Sequence, residues 1–269
     1  MRLAFLKTSL LITFAAVGAF SAAAQTNGLT PKGPERFAGE ILTFEGNVNR
    51  SLFRGIAIAE LTFTTSLVPG TDDVVIRAEA VSKGTLLKLF RYSFLQQYSS
   101  TVDGPTFRIL KTGKHDVQKQ RVRDSEALFD YNSKRVTYIE TDPQDPMRPP
   151  RRIASEIGPQ MYDMISAIYA TRALPLEVGK KYNFPVSDSG LVYTVPIVVT
   201  GREMQRSILG KTMCFRVEPE IFGPNRLIEQ KGQLVVWITD DERRIPVRAQ
   251  VHTSYGRVDI KLKSSIQQR

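Results

Sequence analysis

Residues 232–262 read GQLVVWIT-DDERR-IPVRAQV-HTSYGR-VDIKL. In Ile245–Val251 apolar side chains stand at 245, 247, 249 and 251, and Val258, Ile260 and Leu262 repeat the alternation beside Asp259, Lys261 and Lys263. A period of two places one face against a core and the other in water. Gly232–Thr239 is apolar on both faces, which suits a more central strand. The charged run Asp240–Arg244 and the pair Tyr255-Gly256 supply the turns. The segment predicts a three-stranded antiparallel meander, and the rest of the chain is read outward from it.

Upstream, β-like runs alternate with turn signals at intervals of about 10 residues, the spacing of a sandwich, barrel or curved antiparallel sheet. Strands are predicted over 40–47, 56–66, 73–81, 94–102, 107–112, 115–124, 125–131, 135–140, 192–200 and 212–218. Asp103-Gly104 and Asn132-Ser133 sit where hairpin turns are needed. Two segments break the rhythm. Residues 159–173 (PQMYDMISAIYATRA) carry Met161, Met164, Ile165, Ile168, Tyr169 and Arg172 at helical spacing, between Pro159 at the start and Pro175 beyond the end. A shorter helical turn is predicted over Thr85–Phe90. The Pro-rich run 142–152 (DPQDPMRPPRR) predicts a loop joining two halves. The expected fold is mainly β: one strongly curved antiparallel sheet, barrel or β-spiral, of about 10 to 14 strands, with one main helix packed against or inside it.

The chain opens with Arg2 and Lys7, an apolar run from Leu10 to Phe20, and Ala22-Ala23-Ala24. That layout predicts a cleavable secretory signal over 1–24, with cleavage between Ala24 and Gln25. Its apolar core is shorter than a membrane span of about 20 residues. No Cys follows the small residues, which argues against a lipoprotein anchor. A polar lead-in over 25–36 and a single β domain over 37–265 complete the expected organisation, with no transmembrane segment after signal removal. The expected product is exported, with a periplasm as its destination.

Net charge is +10, of which Arg2 and Lys7 supply two. A basic exported protein meets anionic envelope polymers and lipid headgroups, although basic charge also simply keeps a protein soluble. The cations gather at Lys111, Lys114, Lys119, Arg121 and Arg123 and again at Arg148, Arg151 and Arg152, without the aromatic platforms that nucleic-acid binding requires. The glycines form neither a P-loop nor a dinucleotide fingerprint, so no cofactor is expected. His115, His252 and the lone Cys214 do not make a metal set; Cys214 reads as a small buried hydrophobe.

No catalytic constellation stands out. The adjacent acids Asp240, Asp241 and Glu242 read as a solvated turn, and Asp163 with Ser166 as a helix-capping device; a hydrolase using Asp163 or the Asp240–Asp241 pair is the enzymatic alternative. Asp163, Ser166 and Arg172 are candidate buried polar residues, with Arg172 expected to neutralise Asp163 because a buried charge needs a partner. Met161, Met164, Ile165, Ile168 and Tyr169 are candidates for lining an apolar cavity, if they do not simply fill the core.

Several motifs resemble the bacterial exported domain-of-unknown-function 3108 family. They are Phe37–Phe44 (FAGEILTF), Gly55–Glu60 (GIAIAE), Val102-Asp103-Gly104, Met161–Tyr169 followed by Arg172, Leu176 and Gly179, Cys214–Pro219, and Trp237–Arg248. The resemblance implies a single curved antiparallel β structure in the bacterial envelope and no established activity. On this reading the protein binds an apolar or amphipathic envelope ligand or scaffolds an envelope assembly without catalysis, and a protein-binding module is the other alternative.

Overall fold

The computed structural model describes residues 33–50, 53–254 and 256–268. The predicted signal lies outside them. Of the predicted lead-in, residues 34–36 belong to a 3-10 turn, Pro34–Phe37, whose Pro34 and Phe37 are buried.

The first half of the chain supplies β1 (Glu40–Arg50), β2 (Phe53–Leu67), β3 (Val74–Ser82), β4 (Phe94–Val102), β5 (Ile109–Gln118), β6 (Arg121–Asp130), β7 (Arg135–Thr141) and β8 (Arg151–Glu156). The second half supplies β9 (Lys181–Asp188), β10 (Leu191–Ser207), β11 (Gly210–Pro219), β12 (Gly232–Thr239), β13 (Pro246–Thr253) and β14 (Gly256–Gln267). Helix α1 (Gly84–Phe90) lies between β3 and β4, and α2 (Met164–Ala173) between the halves. All strands join one 14-stranded sheet in the order β8-β7-β6-β5-β4-β3-β2-β1-β14-β13-β12-β11-β10-β9. Every pairing is antiparallel, and each half is a run of sequential hairpins. The halves meet at the centre, where β1 pairs with β14.

The sheet is not closed: β8 and β9 are its edges and do not pair. A strap of backbone nevertheless links its ends. Ile157 N donates to Lys134 O (3.0 Å), Ile109 N donates to Met161 O (3.0 Å), Tyr162 N donates to Pro185 O (3.0 Å), and Ser187 N donates to Tyr162 O (2.8 Å). The β9–β10 turn also touches the opposite end. A Cβ at Gly190 would lie 2.6 Å from Tyr138 Cβ of β7 and 3.1 Å from Ile153 Cβ of β8.

Four local predictions need correction. Helix α2 begins at Met164, not near Pro159, because Tyr162 is tied to β9 by the strap and Asp163 is extended. The predicted strands 107–112, 115–124 and 125–131 are two strands, reversed at Lys119 and Gln120; Lys119 takes φ 57°, a left-handed turn made without glycine. The predicted 142–152 loop ends at Pro150, and β8 starts at Arg151, past the last residue that cannot donate to a ladder. Strand β9 (KYNFPVSD) is not among the predicted strands, its Asn183, Pro185, Ser187 and Asp188 being turn formers; Pro185 is tolerated because the strand lies at the edge.

Two apolar clusters fill the fold. The larger joins Val74, Ile76, Val102, Ile109 and Val136 to Phe184, Val186, Val195 and Val199 through Met161, Tyr162, Tyr169, Ala170 and Ala173. Helix α2 thereby touches both halves, packing on β3 and β4, on β9, and on the 3-10 turn. Its buried residues mix small side chains (Ser166, Ala167, Ala170, Ala173), which let the backbone approach the sheet, with the two large ones Tyr169 and Arg172. Phe37 meets Tyr169 edge-on at 5.3 Å, and Tyr162 packs between Phe107 (6.4 Å) and Phe184 (5.0 Å). The second cluster gathers Leu42, Phe44, Cys214, Val235, Trp237, Val247 and Leu262.

Candidate functional site

The start of α2 is fixed by its cap. Asp163 accepts from Ser166 N (2.7 Å), and Ser166 Oγ accepts from Asp163 N (2.9 Å). This reciprocal arrangement satisfies two amides that the first turn leaves without partners. Ser100 Oγ of β4 donates to the second Asp163 oxygen, which fastens the cap to the sheet. Asp163, Ser166 and Ser100 are all buried. Burial lifts the Asp163 carboxyl above the ordinary carboxylate range, against the opposing hydrogen bonds from Ser100 and Ser166.

The end of α2 carries the most buried charge of the fold. Arg172 is 1% exposed and forms a bidentate pair with Glu40 of β1, both bonds at 2.6 Å. Its remaining donors reach Arg244 O (2.8 Å) and Arg243 O (3.3 Å), and its guanidinium stacks on Phe37 (4.3 Å) and Tyr169 (4.8 Å). The expected Arg172–Asp163 pair is therefore not formed. Nine residues of helix separate them by about 13 Å, too far for an ion pair. The Tyr169 hydroxyl is buried with no hydrogen-bond partner among the described residues, and burial pushes its phenol far up despite the neighbouring Arg172.

The five apolar cavity candidates do not share one lining. Met161 and Tyr169 are buried in the core, and Ile165 packs partly against it. Met164 and Ile168 lie on the outer side of α2, at 37% and 39% exposed.

The Arg172–Glu40 pair acts as a latch between α2 and β1, and the Asp240–Asp241 turn is bound to it, a connection the sequence did not reveal. Asp240 pairs with Arg202 and Arg244. Asp241 accepts from Thr239 Oγ1 (2.6 Å), Arg243 Nη2 (2.8 Å) and Arg244 N (3.1 Å). Burial raises the Asp241 carboxyl, but the bonds from Thr239 and Arg243 outweigh it and hold the group below its ordinary range. The turn so fixed aims the Arg243 and Arg244 carbonyls at Arg172. Arg36 donates to Glu242 O, bringing the 3-10 turn to the same place.

The basic clusters spend much of their charge inside the protein. Lys111 pairs with Glu126 (2.5 Å), Arg121 with Asp116 (3.9 Å), and Arg123 and Arg148 both with Asp142. Lys114 lies over the Tyr98 ring (4.9 Å) and Lys119 over Tyr92 (5.6 Å), while Arg151 and Arg152 are exposed. Near the end of β9, burial raises the Asp188 carboxyl, opposed by the charges of Lys114 and Arg151. Sequence reasoning missed this polar seam, whose only local sign is the turn Asp188-Ser189-Gly190.

His115 Nδ1 contacts Asp124 Oδ1 at 2.5 Å across β5 and β6. Beside it opens a polar groove bounded by Thr62, Thr64, Arg77, Glu79, Gln97 and Gly113. His252 is half-buried on β13, opposite Gln233 and Arg257. Cys214 is buried, and burial pushes its thiol up to about 11. Among the described residues no group of His, Cys, Asp and Glu is arranged to hold a metal ion, and no helix is long and apolar enough to cross a membrane.

This architecture defines a mainly β protein: one antiparallel sheet with two short helices. The chain belongs to the DUF3108 family, described as proteins of unknown function, whose match spans residues 46–263. It is similar in fold to a beta-barrel-like protein of the domain of unknown function DUF1849 from Brucella abortus, at 8% identity and a TM-score of 0.56. That likeness covers 86% of this chain and 98% of the other. No curated protein matches.

Proposed function

We propose that this is a non-enzymatic scaffold of the bacterial cell envelope, exported by its N-terminal signal, whose sheet coils strongly around α2 and which binds partners on its outer surface. One observation carries the reading: the polar side chains of α2 are occupied in holding the sheet together. Asp163 is engaged by Ser100 and Ser166, and Arg172 by Glu40 and two carbonyls. Asp240 and Asp241, the other acids considered for hydrolysis, shape the turn that completes the latch. Coiling is supported by the Gly190 contact with β7 and β8 and by the strap at 157–163. Met161 and Tyr169, buried in that core, take the space an internal apolar ligand would need. The layout at Arg2–Ala24 and the family resemblance support the envelope as location.

Native mass spectrometry of protein purified from its own host's envelope, followed by organic extraction, tests the reading. The expected result is the mass of the processed polypeptide, alone or with protein subunits. A stoichiometric small amphiphile would refute the scaffold and make the protein a carrier.

A further inference from the structure

The β10–β11 hairpin runs on alone past the rest of the sheet. Strand β10 pairs with β9 only over Leu191–Val198, and β11 pairs with β12 only over Cys214–Val217, while β10 and β11 pair with each other as far as Ser207 and Gly210. The end of the hairpin is thus a two-stranded ribbon, and such ribbons are marginal in water without further support. One side is seated: Trp237 Nε1 donates to Glu203, and Leu209 packs against the second apolar cluster.

The exposed side has a different chemistry. Met204 and Ile208 are 56% and 52% exposed, and Arg206 and Lys211 are exposed beside them. Arg206 and Lys211 are direct cross-strand partners, and neither forms an ion pair among the described residues. Like charges placed opposite one another destabilise a ribbon, so this pair costs stability until an anion lies across it. We propose that the tip of this hairpin docks on an anionic phospholipid surface. Met204 and Ile208 enter the interface, and Arg206 and Lys211 bind headgroup phosphates with their stems along the same boundary. The proposal rests on the surface-binding reading above and names one partner for it.

The test is co-sedimentation of the chain from Gln25 onward, which retains every described residue, with mixed phosphatidylglycerol–phosphatidylcholine vesicles. The expected result is binding that weakens with salt and is absent on phosphatidylcholine alone. Arg206→Gln/Lys211→Gln should lower the partition coefficient roughly 30-fold, since each cation near an anionic surface contributes about fivefold. Ile208→Ser should lower it at every salt concentration. Lys88→Gln/Lys134→Gln removes the same charge from α1 and the β6–β7 turn, in the other half of the chain, and should leave binding near the parent's. Three results would overturn the proposal: no binding to the anionic vesicles, equal binding to neutral ones, or an equal loss in the control pair. Any of these leaves the scaffold reading standing, with protein partners only; an extracted amphiphile would remove that reading without touching the vesicle result.

Discussion

Replacing Arg172 by Met should be among the most damaging single changes in this protein. The guanidinium is fully shielded, and its partner Glu40 has a side chain only 7% exposed. Arg172→Met leaves the Glu40 carboxylate buried without its cation and leaves the carbonyls of Arg243 and Arg244 without their donor. Removing one member of a buried ion pair costs about 3–5 kcal/mol, mostly the desolvation of the charge left behind. For a domain of this size that corresponds to a fall in Tm of about 6–20 °C. Glu40→Gln should cost somewhat less, because the neutral amide still offers an acceptor. The double variant removes both charges, so its loss should fall short of the sum of the singles by roughly 2 kcal/mol. Urea unfolding followed by far-ultraviolet circular dichroism and by Trp237 fluorescence gives all three free energies. Either of two results refutes the latch: Arg172→Met costing less than about 1 kcal/mol, or strict additivity of the two singles.

Other consequences are equally open to measurement. Lys83, with Lys263 behind it, holds the Glu45 carboxyl at about 2 instead of its ordinary 4.5, so Glu45 stabilises the fold above pH 4.5 and loses that contribution as pH falls toward 2. Glu45→Gln should flatten the acid limb of stability in that window while leaving its slope above pH 6 unchanged; an unaltered acid limb would exclude the pairing. Gly190→Ala adds a Cβ at φ 80° and 2.6 Å from Tyr138 Cβ, and should cost about 2–4 kcal/mol in a thermal melt, with faster proteolysis around β8. Asp163→Ala removes the cap acceptor and strands Ser100, for about 2 kcal/mol, whereas Asp163→Asn keeps an acceptor without the penalised charge and should cost less. Equal losses at Asp163 would show that the charge itself is what the site requires.

The legible parts of the sequence were those whose determinants are local. The alternation at 245–251 and 258–262 requires only neighbouring residues, and β13 and β14 lie there. The Asp163–Ser166 cap is likewise a relation over three positions. Strand β9 was hidden because Asn183, Pro185, Ser187 and Asp188 are turn formers, and its position at the sheet edge makes the proline harmless. The Lys119 turn was hidden because nothing in its residue types announces a left-handed backbone. The pairing of Arg172 with Glu40, 132 positions apart, is a property of the folded sheet alone. Nearness in sequence had suggested Asp163 instead, at the wrong end of the helix. The family resemblance was legible too, because it rests on residue strings, and the matched span 46–263 contains most of them.

The meeting of β1 with β14 has a consequence for how the chain assembles. Gln268 N donates to Gly39 O at 2.8 Å, so the described ends of the polypeptide lie side by side in mid-sheet. Followed from β9 through β14 and on from β1 to β8, the strands form an uninterrupted up-and-down series. The natural gene order is a circular permutation of that series. A permutant opened between Gly158 and Pro159, with a short linker joining the ends beside Gly39 and Gln268, would make every strand pairing sequential, and would leave the strap and the Gly190 contact as the contacts that span the chain. Of the described strands β14 comes last in the natural order, and until its 12 residues are available β1 lacks its partner across the centre of the sheet.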